Sequence, residues 1–177
     1  MRRSPIQRGS MSHEQRTNSR PYRENAMPLQ HLEHFLIQCA DIEATRDWYV
    51  KVLGMREGQH PDFKFPVCWL YIGDKDVIHI TTGGKDVSAN RMQYLGQQSD
   101  ALRGSGVIDH MAFRCTGLKD TIEHLERLKV PYRKRQVNDQ GLFQLFLDDP
   151  NGIKIELNFA NAEAEGIRAE VMASELR

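Results

Sequence analysis

His34-Phe-Leu-Ile-Gln-Cys39 and His110-Met-Ala-Phe-Arg-Cys115 superpose residue by residue, with both histidines and both cysteines matching at a spacing of 76 residues. In a chain of 177 residues such a match reads as two copies of one module. Alternation predicts that each copy begins with a strand. His34, Leu36 and Gln38 share one face and Phe35, Ile37 and Cys39 the other; His110, Ala112 and Arg114 stand against Met111, Phe113 and Cys115. A helix follows in each copy. Asp41 is a good N-cap, Trp48 with Val52 and Tyr49 with Leu53 pair along one face, and Gly54 supplies a left-handed stop. The second helix uses Leu118, Ile122, Leu125 and Leu128, and Pro131 ends it. Three strand-like runs come next, over 56–63, 67–73 and 76–82 in the first copy and 132–137, 142–148 and 153–159 in the second. Each module is therefore βαβββ, over 29–83 and 107–159, with a linker at 84–106 in which Asn90 to Gln97 predicts a helical turn. The fold class is α+β, and the two curved, mixed sheets are expected to face each other across an open, barrel-like cleft.

The last hairpin of each module sets a register. Asp149-Pro150-Asn151-Gly152 has the signature of a type I turn with glycine at the left-handed position, which places Phe146 opposite Glu156. In the first copy Val77-Ile78-His79-Ile80 aligns with Lys154-Ile155-Glu156-Leu157, so His79 and Glu156 occupy equivalent places. Four positions then stand out: His34 and His110 on the first strands, His79 and Glu156 on the last. All four are ligand types for divalent metals. Facing sheets would bring them together and leave further positions of an octahedral shell open. Imidazole and carboxylate donors suit Fe(II), Mn, Ni, Co or Zn, and the lack of thiolates in the set argues against a closed structural zinc. The other histidines, His13, His31, His60 and His124, fall on the tail, the opposite strand face, a loop and a helix surface.

Composition narrows the field. Lys+Arg and Asp+Glu are both 24, so no net charge drives the chain toward nucleic acid or an anionic membrane. No run of eighteen apolar residues exists to cross a bilayer as a helix. Cys39, Cys68 and Cys115 form no C-x-x-C pair and read as reduced, buried thiols; with no apolar signal segment, a cytoplasmic protein is expected. Residues 1–26 carry six arginines against two glutamates with almost nothing apolar, the composition of a disordered tail or tag ahead of Met27. Residues 160–177 mix alanines with Ile167, Val171, Met172 and Leu176 and predict a C-terminal helix.

The combination of His34-x6-Asp41, Trp48-Tyr49-x3-Leu53-Gly54-Met55, Asp109-His110-Met-Ala-Phe and Phe146-Leu-Asp-Asp-Pro-Asn-Gly152-x3-Glu156-Leu157 resembles the vicinal-oxygen-chelate superfamily. That group includes glyoxalase I, type I extradiol dioxygenases, methylmalonyl-CoA epimerase and the fosfomycin and bleomycin resistance proteins. The resemblance covers about residues 29–159. It implies a glyoxalase-like pairing of βαβββ modules with one divalent metal ion per site, whose ligands match His34, His79, His110 and Glu156. It also implies a small-molecule substrate bound through two neighbouring oxygens, and a homodimer.

Departures from the glyoxalase I pattern rank the chemistry. Bacterial glyoxalase I has a carboxylate where His79 stands, an arginine at Gln38 and an asparagine at Gly83, so a glutathione conjugate is not the first choice of substrate. His34, His110 and Glu156 form the two-histidine, one-carboxylate set of non-haem Fe(II) oxygenases, with His79 as a fourth ligand or an acid-base group. An Fe(II) extradiol-type dioxygenase is the leading expectation, with His79 and Glu156 catalytic. A glyoxalase-like isomerase or lyase on a non-glutathione substrate is the alternative. A third reading is a metal-free drug-binding protein, whose pocket would be lined by Gln38, Trp69, Arg114, Gln144 and Phe146.

Overall fold

The computed structural model describes residues 31–84, 87–95, 101–106 and 108–172; the tail expected over 1–26 lies outside the described residues. Glu33–Arg177 forms one compact unit. Its first half runs β1 (Phe35–Cys39), α1 (Ile42–Leu53), β2 (Arg56–Gly58), β3 (Val67–Ile72) and β4 (Lys75–Thr82). After a short linker helix, α2 (Ala89–Leu95), the pattern repeats as β5 (His110–Arg114), α3 (Leu118–Arg127), β6 (Arg133–Val137), β7 (Leu142–Asp148) and β8 (Lys154–Ala160), with β9 (Val171–Met172) last. The sheets have the orders β1-β4-β3-β2 and β5-β8-β7-β6-β9, so the duplicated βαβββ unit read from the sequence is present. The fold is α+β, and the sheets do not close into a barrel.

Local chemistry explains the boundaries. The Asp41 side chain accepts from Ala44 N at 2.9 Å to start α1, and Gly54 ends it at φ 68°. α3 starts at Gly117, which has no side chain to cap with; Glu163 does the work from a distance, accepting from Gly117 N at 2.6 Å and Leu118 N at 3.0 Å. In the 149–152 turn Gly152 N donates to Asp149 O and Asp149 N to Ile153 O, and Phe146 pairs with Glu156 as expected. The run expected over 56–63 is a strand only for Arg56–Gly58. Pro61 offers no N–H to a ladder, and the Tyr71 ring lies so close to Gly58 that a β-carbon there would meet it at 2.5 Å.

The C-terminal helix is not formed over the described residues. A single 3-10 turn, Asn161–Ala164, gives way to Gly166 at φ 80°, and Val171–Met172 then pairs in parallel with Arg135 and Gln136 of β6. Helix propensity loses here because Glu163 is committed to capping α3, while Ala164 and Ile167 are drawn against the core.

The apolar faces of both sheets join one core: Ile37, Cys39, Leu70, Ile78 and Ile80 with Tyr49 and Val52 of α1, and Met111, Phe143, Leu145, Leu157 and Phe159 with Leu118 and Leu125 of α3. All three cysteines are free; Cys39 and Cys68 are buried and Cys115 partly so, and burial pushes the Cys68 thiol up to about 12. Between the modules sits a buried polar node. Asp149 accepts from Tyr49 Oη at 3.1 Å, from Asn151 N and Ile153 N at 2.8 Å each, and from Asn151 Nδ2 at 3.2 Å; Asn151 Nδ2 also donates to Thr45 Oγ1 at 3.1 Å. Burial and the Asp149 charge raise the Tyr49 hydroxyl well above its ordinary value, so it stays a donor. Tyr49→Phe is expected to cost about 1 kcal/mol and Asp149→Ala about 3 kcal/mol in urea denaturation, because the second strands several buried donors at once.

Candidate functional site

Parallel pairing of the first and last strands of each module positions the four predicted ligands. Leu36 lies beside His79 in the β1–β4 ladder and Ala112 beside Glu156 in the β5–β8 ladder. In each module a histidine two residues earlier, His34 or His110, reaches the same face. The result is two pairs. The His79 ring is sandwiched between His34, at a centroid distance of 3.8 Å, and Trp69, at 3.9 Å and within 2° of parallel. In the other sheet His110 Nε2 stands 3.2 Å from Glu156 Oε2.

The two pairs do not meet. Among the described residues no three His, Cys, Asp or Glu side chains converge as a metal-holding group, so the expected cleft with all four ligands at its centre is not present within one chain. Asp149 and Asn151 of the β7–β8 turn bond to Tyr49 and Thr45 of α1, and each donor pair stays on its own sheet. Donor chemistry nonetheless fits a divalent cation. Three imidazoles and one carboxylate make up the set, and its outer partners are in place.

Each pair is held by groups that sequence reading missed. Asp76 Oδ2 lies 2.8 Å from His79 Nε2, and that contact draws the Asp76 carboxyl below its ordinary value. Burial lowers the His79 imidazole, against the opposing pull of Asp76. Asp109 Oδ1 lies 2.8 Å from His110 Nδ1 and 2.7 Å from Lys154 Nζ. Lys154, with His110 second, holds Asp109 down at about 2. A carboxylate on Nδ1 assigns the proton there and turns Nε2 toward Glu156, the arrangement that prepares a histidine for a metal.

Glu156 is buried in a network. Its Oε1 accepts from Gln144 Nε2 at 2.8 Å and Asn158 Nδ2 at 2.7 Å, and Arg135 Nη2 lies 3.7 Å from Oε2. Arg135 Nε donates to Gln144 Oε1 at 2.7 Å, and its guanidinium stacks 4.4 Å over Phe146. Arg135 follows Lys134 on an irregular basic stretch, and nothing in its spacing marked it. The pairing of Asn158 with Gln144 across the β7–β8 hairpin was the available signal.

The five predicted pocket residues divide among four places. Trp69 lines a cavity of about 290 Å³ with His34, His79, Phe63, Phe65 and Tyr94. Gln144 and Phe146 surround Glu156. Gln38 bonds to Arg91 Nη2 and Ala101 O. Arg114 lines a larger cavity, about 660 Å³, between the end of α1 and the β5–α3 region, whose lining includes none of the four candidate ligands. One pocket shared by all five is therefore not formed.

The chain matches the model of the Glyoxalase/Bleomycin resistance protein/Dioxygenase superfamily over residues 31–157 and belongs to that family. It is 24% identical over 136 residues to "Glyoxylase I 4" of Arabidopsis thaliana, covering 75% of this chain and 72% of that protein. Among solved structures it is similar to an integron cassette protein of V. cholerae, with a TM-score of 0.53, 23% identity and coverage of 75% of this chain and 97% of the other. An antibiotic-binding protein from a Streptomyces species has a TM-score of 0.52 and 17% identity, with 76% and 98% covered.

Gln144 is the hub of the Glu156 network. Gln144→Leu would leave Glu156, Asn158 and Arg135 each short of a partner, and a loss of about 2 to 3 kcal/mol is expected in urea denaturation.

Proposed function

We propose that the chain is a metal-dependent enzyme that binds a small aromatic or conjugated substrate through two neighbouring oxygens, as an Fe(II) extradiol-type dioxygenase. The observation that carries this reading is the duplicated donor pair, His34 with His79 and His110 with Glu156, the first opening on an aromatic cavity. These four residues would hold the ion, with Fe(II) favoured and Ni, Co, Mn or Zn as alternatives. The ion would act as Lewis acid toward the two substrate oxygens and as the meeting place of substrate and O2.

The protein's part is positioning. Phe63, Phe65, Trp69 and Tyr94 would enclose a planar ring, and Trp69 fixes the plane of His79. Asp76 holds His79 Nε2 and so orients the ring with Nδ1 left for the ion. Gln144 and Asn158 hold the Glu156 carboxylate in one orientation. Against a glutathione substrate, a side chain at Gly83 would collide with Leu102 at 2.9 Å and Gln38 at 3.0 Å, and Gln38 is itself committed to Arg91.

A second chain would complete the set. β1 and β5 are the outer strands of their sheets, and Leu36 on the His34 face is 47% exposed. A homodimer that sets the first module of one copy against the second module of the other would unite the pairs. Metal-free ligand binding is the competing reading, favoured by the flat His34–His79–Trp69 stack, which forms an aromatic wall as it stands.

Elemental analysis of protein purified anaerobically without chelator is expected to give about one iron per chain, lost in His110→Ala. Glu156→Gln should lose metal and oxygen uptake on catechols while keeping its circular dichroism; full turnover in that variant would refute the assignment. Mixing unfolded His79→Ala and Glu156→Gln chains and refolding them together should restore roughly a quarter of the sites if each is shared between two chains, and none if each lies within one.

A further inference from the structure

Arg91 is the most unusual charged residue among those described. It is 2% exposed, and among the described residues its Nε and Nη1 have no hydrogen-bond partner. Its Nη2 donates to Gln38 Oε1 at 2.9 Å, and among the described residues no carboxylate lies within ion-pair distance of it. A guanidinium keeps its charge in the interior, since it has no neutral form to fall back on. Burying it with two nitrogens unpaired is costly unless something else supplies the acceptors.

Its position indicates where an acceptor would come from. Arg91, Tyr94 and Leu95 stand at i, i+3 and i+4 on α2, hence on one face of the helix. Tyr94 and Leu95 line the aromatic cavity. Gln38, which holds the guanidinium, lies beside Thr81 in the β1–β4 ladder and two residues beyond Leu36 on the same strand face; Thr81 and Leu36 also line that cavity. The carboxylates of the cavity, Glu33 and Asp76, accompany His34 and His79. The histidines and acids thus line the cavity itself, and Arg91, which is not among the lining residues, adjoins it through Gln38 and the α2 face that carries Tyr94 and Leu95.

We propose that Arg91 anchors a carboxylate of the molecule that occupies the aromatic cavity, so that the ligand is a small aromatic acid. This rests on the reading of that cavity as the substrate site. One cation with two unfilled donor nitrogens matches a monoanion, and a dianionic phosphate would need more positive charge than the cavity walls offer. The charged end of the ligand points toward α2 and the opposite end toward His34 and His79. Arg91 selects and orients; it is a binding residue.

The test is isothermal titration of the full chain, without added metal, against 3,4-dihydroxybenzoate and 3,4-dihydroxybenzyl alcohol. These probes share a ring and neighbouring hydroxyls and differ in charge. Wild type is expected to prefer the acid by about tenfold or more, which corresponds to ~1.4 kcal/mol. Arg91→Met should lose that preference, keep its affinity for the alcohol and melt no lower than wild type without ligand; Arg91→Lys should retain part of the preference. Equal binding of both probes by wild type overturns the proposal and leaves the cavity reading intact. Loss of both probes in Arg91→Met, with a lower melting temperature and no preference in Arg91→Lys, makes Arg91 a structural clamp and also overturns it. If wild type binds neither probe, the cavity reading falls and takes this inference with it.

Discussion

The buried carboxylate of Asp149 joins the two modules. It accepts two backbone N–H groups of its own turn, the Asn151 amide and the hydroxyl of Tyr49, a residue 100 positions away in the chain. Four donors around one desolvated charge leave little freedom for the β7–β8 hairpin or for α1 to move independently. Because α1 is packed on the first sheet and the hairpin is part of the second, this node ties the two sheets together. Among the described residues each donor pair remains on its own sheet, and the proposed sharing of sites between two copies starts from that separation.

The two halves of the candidate site are built for different work. Around Glu156 the structure is polar and satisfied, with amides and a guanidinium fixing one carboxylate beside His110. Around His79 it is aromatic, with a single carboxylate touching the ring that Trp69 and His34 hold flat. Such asymmetry on a duplicated frame suits a site in which one module supplies anionic ligation and the other shapes the substrate space. Membership of the Glyoxalase/Bleomycin resistance protein/Dioxygenase superfamily is compatible with isomerisation, oxygenation or binding. Chemistry is decided by residues grafted on that frame.

Much of this frame was legible in the sequence because it rests on local patterns. The His-to-Cys repeat located β1 and β5, Asp41 and Gly54 bounded α1, and the turn at 149–152 placed Phe146 opposite Glu156. What escaped reading depends on distant encounters. Glu163 caps a helix 45 residues earlier, and no C-terminal helix forms over the described residues. Alternation assigned a face to each donor but carried no information on the Tyr49–Asp149 contact that links the two modules. Asp76, Arg135 and Arg91 sit in segments with no motif and acquire meaning only from what they touch.

If His34, His79, His110 and Glu156 form one metal site as proposed, anomalous diffraction at the iron edge from crystals of the iron-loaded full chain should show one strong peak with all four side chains at about 2.0 to 2.3 Å, His34 and His79 from one copy and His110 and Glu156 from another. An ion bound by other residues, or iron that fails to bind at all under reducing conditions, would contradict it.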